Sequence, residues 1–215
     1  MKLNNKQIIE LIETLKQAHP EATCSLDFNT PFEMVIAVML SAQCTDERVN
    51  KTTPSIFNKY NKPEDFANID ITLLEKLIHP CGFYKNKAKN IKACSQKLIS
   101  DFNGEVPTTM EELIALPGIG RKSANVIMLE AFNKPVGIAV DTHAKRVSNR
   151  IGLSSKTDPE KIEQDLLKII PKEYIGDVNH LFVYHGRKIC DSRKPKCDVC
   201  PINHLCAKNN VKLPK

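Results

Sequence analysis

The sequence has no tryptophan, only 6% aromatic residues and no long hydrophobic run among its 215 residues. Its longest apolar segment, Met34–Leu40, is far shorter than the roughly 18 apolar residues that indicate a transmembrane helix. The N-terminal segment MKLNNKQ lacks the apolar stretch of a signal peptide. Internal repeats and low-complexity segments are also missing. We therefore expect a cytoplasmic protein without a membrane partner.

The rest of the composition is that of a globular protein. Hydrophobic residues make up 41% of the chain and charged residues 26%, which argues against intrinsic disorder. At about 150 residues per domain, the length predicts one large domain or two modest ones. Disulfides rarely persist in the cytoplasm, so the eight cysteines indicate metal ligation, catalysis or burial.

Positive charge is concentrated in two segments. The net charge is +6, and residues 187–215 carry eight basic residues against two acidic ones. Residues 85–97 contain five lysines and no acidic residue. Such local excess is typical of proteins that bind polyanions such as nucleic acids. A solvated surface is the simpler explanation when charge is considered alone.

Hydrophobic periodicity predicts an all-α fold of about ten helices. Pro31 suits the first turn of a buried helix, Thr108 with Glu111 forms a predicted capping box, and Asp158 before Pro159 marks another helix start. The strand-like run at 136–140 is too short to carry weight. Helices are predicted near residues 8–18, 31–42, 46–58, 72–79, 87–101, 109–116, 120–132, 142–151, 159–170 and 174–189.

Two of the predicted helices are joined by Leu116-Pro117-Gly118-Ile119-Gly120. The two glycines permit positive φ or a close backbone approach, and the next helix presents its first amide groups outward. A DNA phosphate would fit there without base specificity, although an ordinary helix–helix turn explains the pattern as well. If phosphate binding is correct, a β-branched residue at Gly118 should impair DNA binding more than folding.

Four cysteines near the C-terminus have the spacing Cys190-x6-Cys197-x2-Cys200-x5-Cys206. The residues between them are too polar for a core, so a closed four-thiolate metal site is predicted. Spacing alone leaves zinc and an iron–sulfur cluster both open. We expect the loop to hold Arg193, Lys194 and Lys196 outward, where they could contact phosphates.

Several of these segments resemble the iron–sulfur branch of the helix-hairpin-helix DNA glycosylase superfamily. The similar stretches are Leu40–Asp46, Cys81–Tyr84, Leu116–Val126, Val140–His143 and the four-cysteine loop, and the resemblance covers nearly the whole chain. It implies a [4Fe–4S] cluster on Cys190, Cys197, Cys200 and Cys206. It also implies two helical domains: a six-helix domain over 23–134, and a second domain of 1–22 plus 135–215 with the cluster loop at 190–206.

The resemblance further implies functional roles for individual residues. Lys122 is the expected nucleophile, and the positive end of the helix dipole beside it favours the neutral amine. Asp141, a residue type favoured as a helix N-cap, is the expected catalytic carboxylate. Gln43 and Phe83 are expected to fill the space left by an extruded nucleotide, and Asp46 to line the pocket. The remaining DNA contacts are expected from Gly118, Gly120, Arg121, Arg193, Lys194 and Lys196.

The implied activity is a bifunctional DNA glycosylase and AP lyase that removes oxidised pyrimidines from duplex DNA. The expected partner is duplex DNA with damaged bases or abasic sites, bound by a monomer at the nucleoid. Three alternatives remain open: a monofunctional adenine glycosylase, a non-catalytic DNA-binding module and a zinc-stabilised nuclease. The first lacks the lysine found here at Lys122, and the second needs neither that lysine nor Asp141.

Overall fold

The protein is described by a computed structural model that covers residues 3–211. Lys212 and Lys215, two of the basic residues counted near the C-terminus, lie outside the described residues. Within residues 3–211 there is no strand, so the all-α prediction is confirmed. No helix in this range is long and apolar enough to cross a membrane. The α-helices are α1 Asn5–Ala18, α2 Pro31–Ser41, α3 Asp46–Phe57, α4 Pro63–Asn68, α5 Ile71–Ile78, α6 Tyr84–Phe102, α7 Met110–Ile114, α8 Arg121–Phe132, α9 Thr142–Ile151, α10 Pro159–Ile169 and α11 Ile175–Lys188.

The chain forms two compact units. We call Ser25–Lys134 the central unit, and Met1–Cys24 with Pro135–Lys215 the terminal unit. The central unit contains α2 to α8, which is seven helices where six were expected. The additional helix is α4, whose six residues are too few to show a hydrophobic period.

Helix α2 lies in the core of the central unit. Its nine consecutive residues from Phe32 to Leu40 are all buried, as expected for a helix that is apolar nearly all round. Thr30 accepts a hydrogen bond from the Glu33 amide and Pro31 occupies the first turn, so the start is fixed as predicted. The Glu33 carboxylate is buried and accepts two hydrogen bonds from Asn29, which offset its desolvation.

The terminal unit has its own apolar core. One face of α1 packs against α11, with Ile8, Leu11, Ile12 and Leu15 buried in the same cluster as residues of α9 and α10. Ile202 and Leu205, which lie between the cysteines near the C-terminus, belong to this cluster too. The cysteine loop therefore packs, through Ile202 and Leu205, against the same core as α9.

Helix α9 packs very closely against α11. A Cβ atom added at Gly186 would lie 2.9 Å from His143 Cβ, so the close packing requires glycine there. The start of α10 is also as predicted, because Asp158 accepts from the Lys161 amide and Pro159 follows it. The predicted capping box at Thr108 was wrong by one residue. Thr109 is the N-cap of α7, and its side chain pairs with Glu112.

Candidate active site

The glycine-containing turn joins α7 to α8 in the central unit. Leu116 and Ile119 are buried, and the Ile119 amide donates to the Leu116 carbonyl at 3.1 Å, which closes the turn. Gly118 lies between them at φ +81°, a conformation that L side chains rarely adopt. The hairpin is thus held by two apolar anchors and one glycine that its backbone requires.

Helix α8 starts at this turn without a side-chain cap. Gly120 is its N-cap in an extended conformation (φ −99°), and glycine has no side chain to accept from the first-turn amides. The amide dipoles and the positive end of the helix therefore remain available to an external anion. An uncapped N-terminus after a tight turn can hold one phosphate of a DNA backbone.

Lys122 lies in the first turn of α8 and is exposed to solvent. Within residues 3–211, its ammonium makes no hydrogen bond or ion pair. Arg121 precedes it and is half-buried, and Ala124 and Asn125 after it are buried. The side chain of Lys122 is therefore on the exposed face of α8, while the opposite face of the helix packs into the central unit.

Asp141 is the N-cap of α9 in the terminal unit. Its Oδ1 atom accepts hydrogen bonds of 2.8 Å from the amides of His143 and Ala144. The predicted capping role is confirmed. Since both donors contact Oδ1, the second carboxylate oxygen takes part in neither bond. The side chain is half-buried and fixed in orientation, as a catalytic carboxylate requires.

His143, next to this carboxylate, has a structural role. Its Nδ1 atom lies 3.1 Å from Arg146 Nη2, and the same guanidinium nitrogen donates to the Gly186 carbonyl at 2.8 Å. Burial lowers the pKa of His143, and Arg146 lowers it further against the opposing effect of Asp141. A neutral imidazole can accept a hydrogen bond from Arg146 at Nδ1, so His143 helps to hold this guanidinium in place.

Gln43 and Phe83 lie on the surface of the central unit in strained backbone conformations. Gln43 has φ 53° and Phe83 has φ 47°, both left-handed values that are uncommon for residues other than glycine. Phe83 is 66% exposed, so its ring is not part of the core of the central unit. Strain of this kind persists where the surrounding structure enforces it, and it is concentrated at functional sites.

Asp46 begins α3 but does not cap it. The N-cap is Thr45, which accepts from the Arg48 amide, although an aspartate at a helix start is also a favoured cap. The Asp46 carboxylate instead accepts a 2.6 Å hydrogen bond from the Ser25 hydroxyl. Asn50 donates to the Ser25 carbonyl at 2.7 Å. The carboxylate is therefore tied to the first residues of the central unit.

The four cysteines near the C-terminus line one cavity in the terminal unit. Its lining also includes Val147, Ile189 and Ile202. Within residues 3–211, no three His, Cys, Asp or Glu side chains converge tightly enough to hold a single metal ion. The four thiols nevertheless line one common space, as the ligands of a single metal centre do.

The environment of the thiols favours binding of a positively charged group. The pKa of the Cys200 thiol is raised to about 11, mainly by burial and to a smaller extent by the three neighbouring cysteines, while a backbone hydrogen bond opposes the rise. Burial likewise raises the pKa of Cys206. Four thiolates are thus unfavourable here unless a metal centre stabilises them, and metal coordination deprotonates such thiols.

Donors from the surrounding protein already point at the sulfur atoms. Arg150 Nη1 donates to Cys190 Sγ at 3.4 Å, and the Lys208 amide donates to Cys206 Sγ at the same distance. The imidazole of His185 contacts Cys200 Sγ at 3.6 Å. Hydrogen bonds of this type stabilise thiolate sulfur in iron–sulfur sites. The residues present therefore fit an iron–sulfur cluster.

The loop between the first two cysteines is held in a defined turn. Asp191 accepts from the amides of Lys194 and Arg193, and these two bonds hold the pKa of its carboxyl below the usual range. The side chains of Arg193, Lys194 and Lys196 are exposed. The outward presentation expected from the sequence is therefore observed.

Sequence reasoning missed two arginines that hold this loop. Arg146 Nε donates to the Cys190 carbonyl at 2.9 Å, while Arg150 donates to the Asp191 and Ser192 carbonyls at 2.6 and 2.8 Å. The two arginines are one helical turn apart on α9, so their i, i+4 spacing was the available signal. Helix α9 thus joins the Asp141 carboxylate to the cysteine loop.

Comparison with known proteins identifies relatives over almost the full length. Residues 36–172 match the HhH-GPD superfamily of base excision DNA repair proteins, and residues 190–206 match the iron-sulfur binding domain of endonuclease III. Endonuclease III of Synechocystis sp. is 48% identical over 96% of this chain and 94% of its own length. The Bacillus subtilis enzyme is 43% identical over 95% and 93%.

A solved structure agrees with these relatives. The structure of a trapped endonuclease III–DNA covalent intermediate superimposes with a TM-score of 0.89 at 44% identity, covering 96% of this chain and 97% of that one. The prediction of an iron–sulfur cofactor is confirmed, and neither a monofunctional adenine glycosylase nor a non-catalytic module is favoured. The chain belongs to the endonuclease III family of HhH-GPD base excision DNA repair proteins.

Proposed function

We propose that the protein removes oxidised or ring-saturated pyrimidines from duplex DNA, with Lys122 as nucleophile and Asp141 as its catalytic carboxylate. Glycosylase and AP lyase chemistry on DNA belongs to the family. The substrate class and the residue roles are the proposal. It rests mainly on one observation: Lys122 is exposed in the first turn of α8, and the first amides of that helix have no side-chain cap.

The reaction begins when the damaged nucleotide is extruded from the duplex, and Gln43 and Phe83 fill the space it leaves. The Lys122 amine forms a bond to C1′ while the glycosidic C1′–N bond breaks, and the base departs with the bonding electrons and takes up a proton. Asp141 accepts the proton that the lysine ammonium must lose, or stabilises positive charge at C1′.

The sugar then opens to a Schiff base between Lys122 and C1′. Withdrawal of electrons by this iminium makes a C2′ hydrogen acidic. Its loss as a proton expels the 3′ phosphate by breaking the C3′–O3′ bond, which is the β-elimination step of an AP lyase. The strand is thus cut on the 3′ side of the abasic sugar without any requirement for a metal at the reacting carbon.

The iron–sulfur group would be held by Cys190, Cys197, Cys200 and Cys206. When bound, it would cross-link the loop and would take no part in the reaction. All four thiols are engaged in the proposed ligation, which leaves no open position for substrate. The chain's own residues then present Arg193, Lys194 and Lys196 on a rigid base. We also propose that the protein acts as a monomer at the nucleoid.

The substrate class can be tested with three duplexes. One carries thymine glycol, one an abasic site and one adenine opposite guanine. The proposal expects strand cleavage of the first two without added alkali, and no release of adenine from the third. Release of adenine without strand cleavage would instead support a monofunctional adenine glycosylase. Binding without reaction on any duplex would support a non-catalytic module.

Gly118 and Gly120 form a matched pair for testing the phosphate cradle. A Cβ at Gly118 would meet Met39 Cε at 2.7 Å and Asn90 Cβ at 2.9 Å, so the structure adds a folding cost that the sequence did not predict. Gly118→Ala should lower the free energy of unfolding by about 1–2 kcal/mol or more because of its positive φ. At Gly120 a Cβ meets nothing within 4 Å.

Gly120→Ala is therefore the informative variant. Its unfolding free energy should fall by less than about 1 kcal/mol, the difference between glycine and alanine at an N-cap. Its affinity for every duplex should fall, because the added methyl group lies where a phosphate would approach the α8 amides. Chemical denaturation and fluorescence anisotropy measure the two effects. Unchanged affinity in Gly120→Ala would contradict phosphate binding at this turn.

Lys194→Ala tests the basic loop. Loss of one phosphate contact should lower the slope of log affinity against log salt by about one unit and weaken all duplexes alike. Lys161→Ala, which removes an exposed lysine from α10, is the matched control and should leave the slope unchanged. Equal slopes for the parent and both variants would refute the DNA contact at Lys194.

A further inference from the structure

Lys87 is a buried cation in the first turns of α6. Only 6% of the residue is exposed, and it lies on the same helical face as Ile91, Cys94 and Leu98, all of them fully buried. Burial is the main cause that lowers the pKa of its ammonium. A lysine in such a position is retained only if its charge is well partnered.

The partners of the ammonium are two backbone carbonyls from different segments. Lys87 Nζ donates to the Leu40 carbonyl at 2.8 Å and to the Cys81 carbonyl at 2.9 Å. Leu40 lies in the last turn of α2, where carbonyls lack helical partners and a positive charge is favourable. Cys81 ends the short 3₁₀ turn before Gly82. One side chain therefore joins the ends of two separate elements.

Each of these carbonyls lies just before a proposed DNA-inserting residue. Gln43 follows Leu40 by three residues, and Phe83 follows Cys81 by two. The Lys87 amide also donates to the Phe83 carbonyl at 3.1 Å. Gln43 and Phe83 both have left-handed backbones, which must be enforced by contacts around them. Lys87 contacts one carbonyl in each of the two segments that lead to these residues.

We propose that Lys87 is a positioning residue that links the Gln43 loop (Leu40–Gln43) to the Phe83 loop (Cys81–Phe83). We call this link the lock. Because it fixes the two loops relative to each other, the side chains of Gln43 and Phe83 enter the duplex together. Lys87 does not contact DNA itself, since it is buried beneath the two loops. Three N–H donors on one flexible stem can serve two carbonyls, whereas an apolar side chain of the same length leaves both unpaired. The role in the reaction rests on the proposed function of Gln43 and Phe83.

Lys87→Met tests the lock, because methionine keeps an unbranched chain of similar volume but has no donor. Lys76→Met, at an exposed position of α5 outside the basic segment 85–97, is the matched control for loss of one positive charge. We expect Lys87→Met to slow single-turnover excision of thymine glycol by about 10- to 100-fold, the scale of a displacement near 1 Å in a reactive complex. Lys76→Met should behave as the parent in this assay.

Two further readouts separate positioning from a general defect. Cleavage of a preformed abasic site should fall by less than about threefold, because extrusion costs least where no base is stacked. A 2-aminopurine base beside the lesion should lose most of its fluorescence increase with Lys87→Met, since that signal reports unstacking. If Lys87→Met fails to fold, Lys87→Gln, whose amide still serves one carbonyl, should show an intermediate effect on both readouts.

Several outcomes would overturn the proposal. Excision by a folded Lys87→Met within twofold of the parent would do so, as would an equal loss on thymine glycol and abasic duplexes. A parent that neither excises nor cleaves would contradict the proposed function instead. In that event, a 2-aminopurine response present in the parent and lost in Lys87→Met would still support the lock, because the signal does not require chemistry.

Discussion

Lys122→Ala is expected to abolish the covalent adduct that the parent forms with a thymine glycol duplex in the presence of borohydride. Borohydride reduces the C=N bond of a Schiff base to a stable amine, so the adduct reports the Lys122–C1′ bond directly. The strand-cleavage rate should fall by about 10³-fold or more, the scale seen when the nucleophile of a covalent mechanism is removed. Gel mobility and single-turnover kinetics measure the two losses.

The variant should still fold and still bind DNA. Lys122 is exposed and α8 packs through its opposite face, so truncation at Cβ should leave the free energy of unfolding within about 0.5 kcal/mol of the parent. Lys134→Ala, an exposed lysine beyond the other end of the same helix, is the control and should trap normally. An adduct that persists in Lys122→Ala would assign the nucleophile to another amine.

The parts of the site that sequence could predict are those fixed by backbone and spacing. Gly118 has a positive φ, and Gly120 leaves the start of α8 without a side-chain cap. Both properties can be predicted from the presence of glycine at these positions. The cap at Asp141 follows from an aspartate before a helix. The four cysteines are recognisable from their spacing, although their loop is less polar than expected, since Ile202 and Leu205 are buried in the core of the terminal unit. Each of these features depends on neighbours in sequence, which is why local patterns suffice.

The parts that sequence missed depend on contacts distant along the chain. Helix α6 begins at Tyr84 rather than near residue 87, because Phe83 in a left-handed conformation ends the preceding turn. Lys87 belongs to a basic segment and would be assigned to the solvent, yet it continues the apolar face of Ile91 and Cys94. Its partners are carbonyls, and carbonyls leave no trace in a sequence. The arginines of α9 also donate to backbone oxygens, so their partners could not be predicted, although their i, i+4 spacing placed them on one face of the helix.

The sequence also does not determine which of two adjacent residues caps a helix. Thr108 and Thr109 are adjacent and so are Glu111 and Glu112, and either pair could cap α7. The structure uses Thr109 with Glu112. Thr45 and Asp46 present the same choice at α3, where the threonine is the cap and the aspartate binds Ser25. The position of such a cap is set by how the helix packs, not by the local sequence.

Asp141→Asn is expected to lower the rate of base excision by about 10²- to 10⁴-fold, the usual contribution of a general acid or base. Asparagine keeps the Oδ1 acceptor for the amides of His143 and Ala144, and it is as good an N-cap as aspartate. The unfolding free energy should therefore fall by less than about 1 kcal/mol, through loss of a negative charge at the helix N-terminus. Denaturation and single-turnover excision measure both quantities on one preparation.

Two further variants separate the cap from the chemistry at Asp141. Asp141→Ala removes both, so it should be as slow as Asp141→Asn and also less stable by about 1 kcal/mol, the typical value of a lost N-cap. Asp158→Asn makes the same chemical change at the N-cap of α10 and should excise at the parental rate. Because a neutral side chain cannot take the proton from Lys122, activity should follow the charge at Asp141, while stability follows the hydrogen bonds of Oδ1. Excision by Asp141→Asn within threefold of the parent would leave Asp141 with a capping role alone.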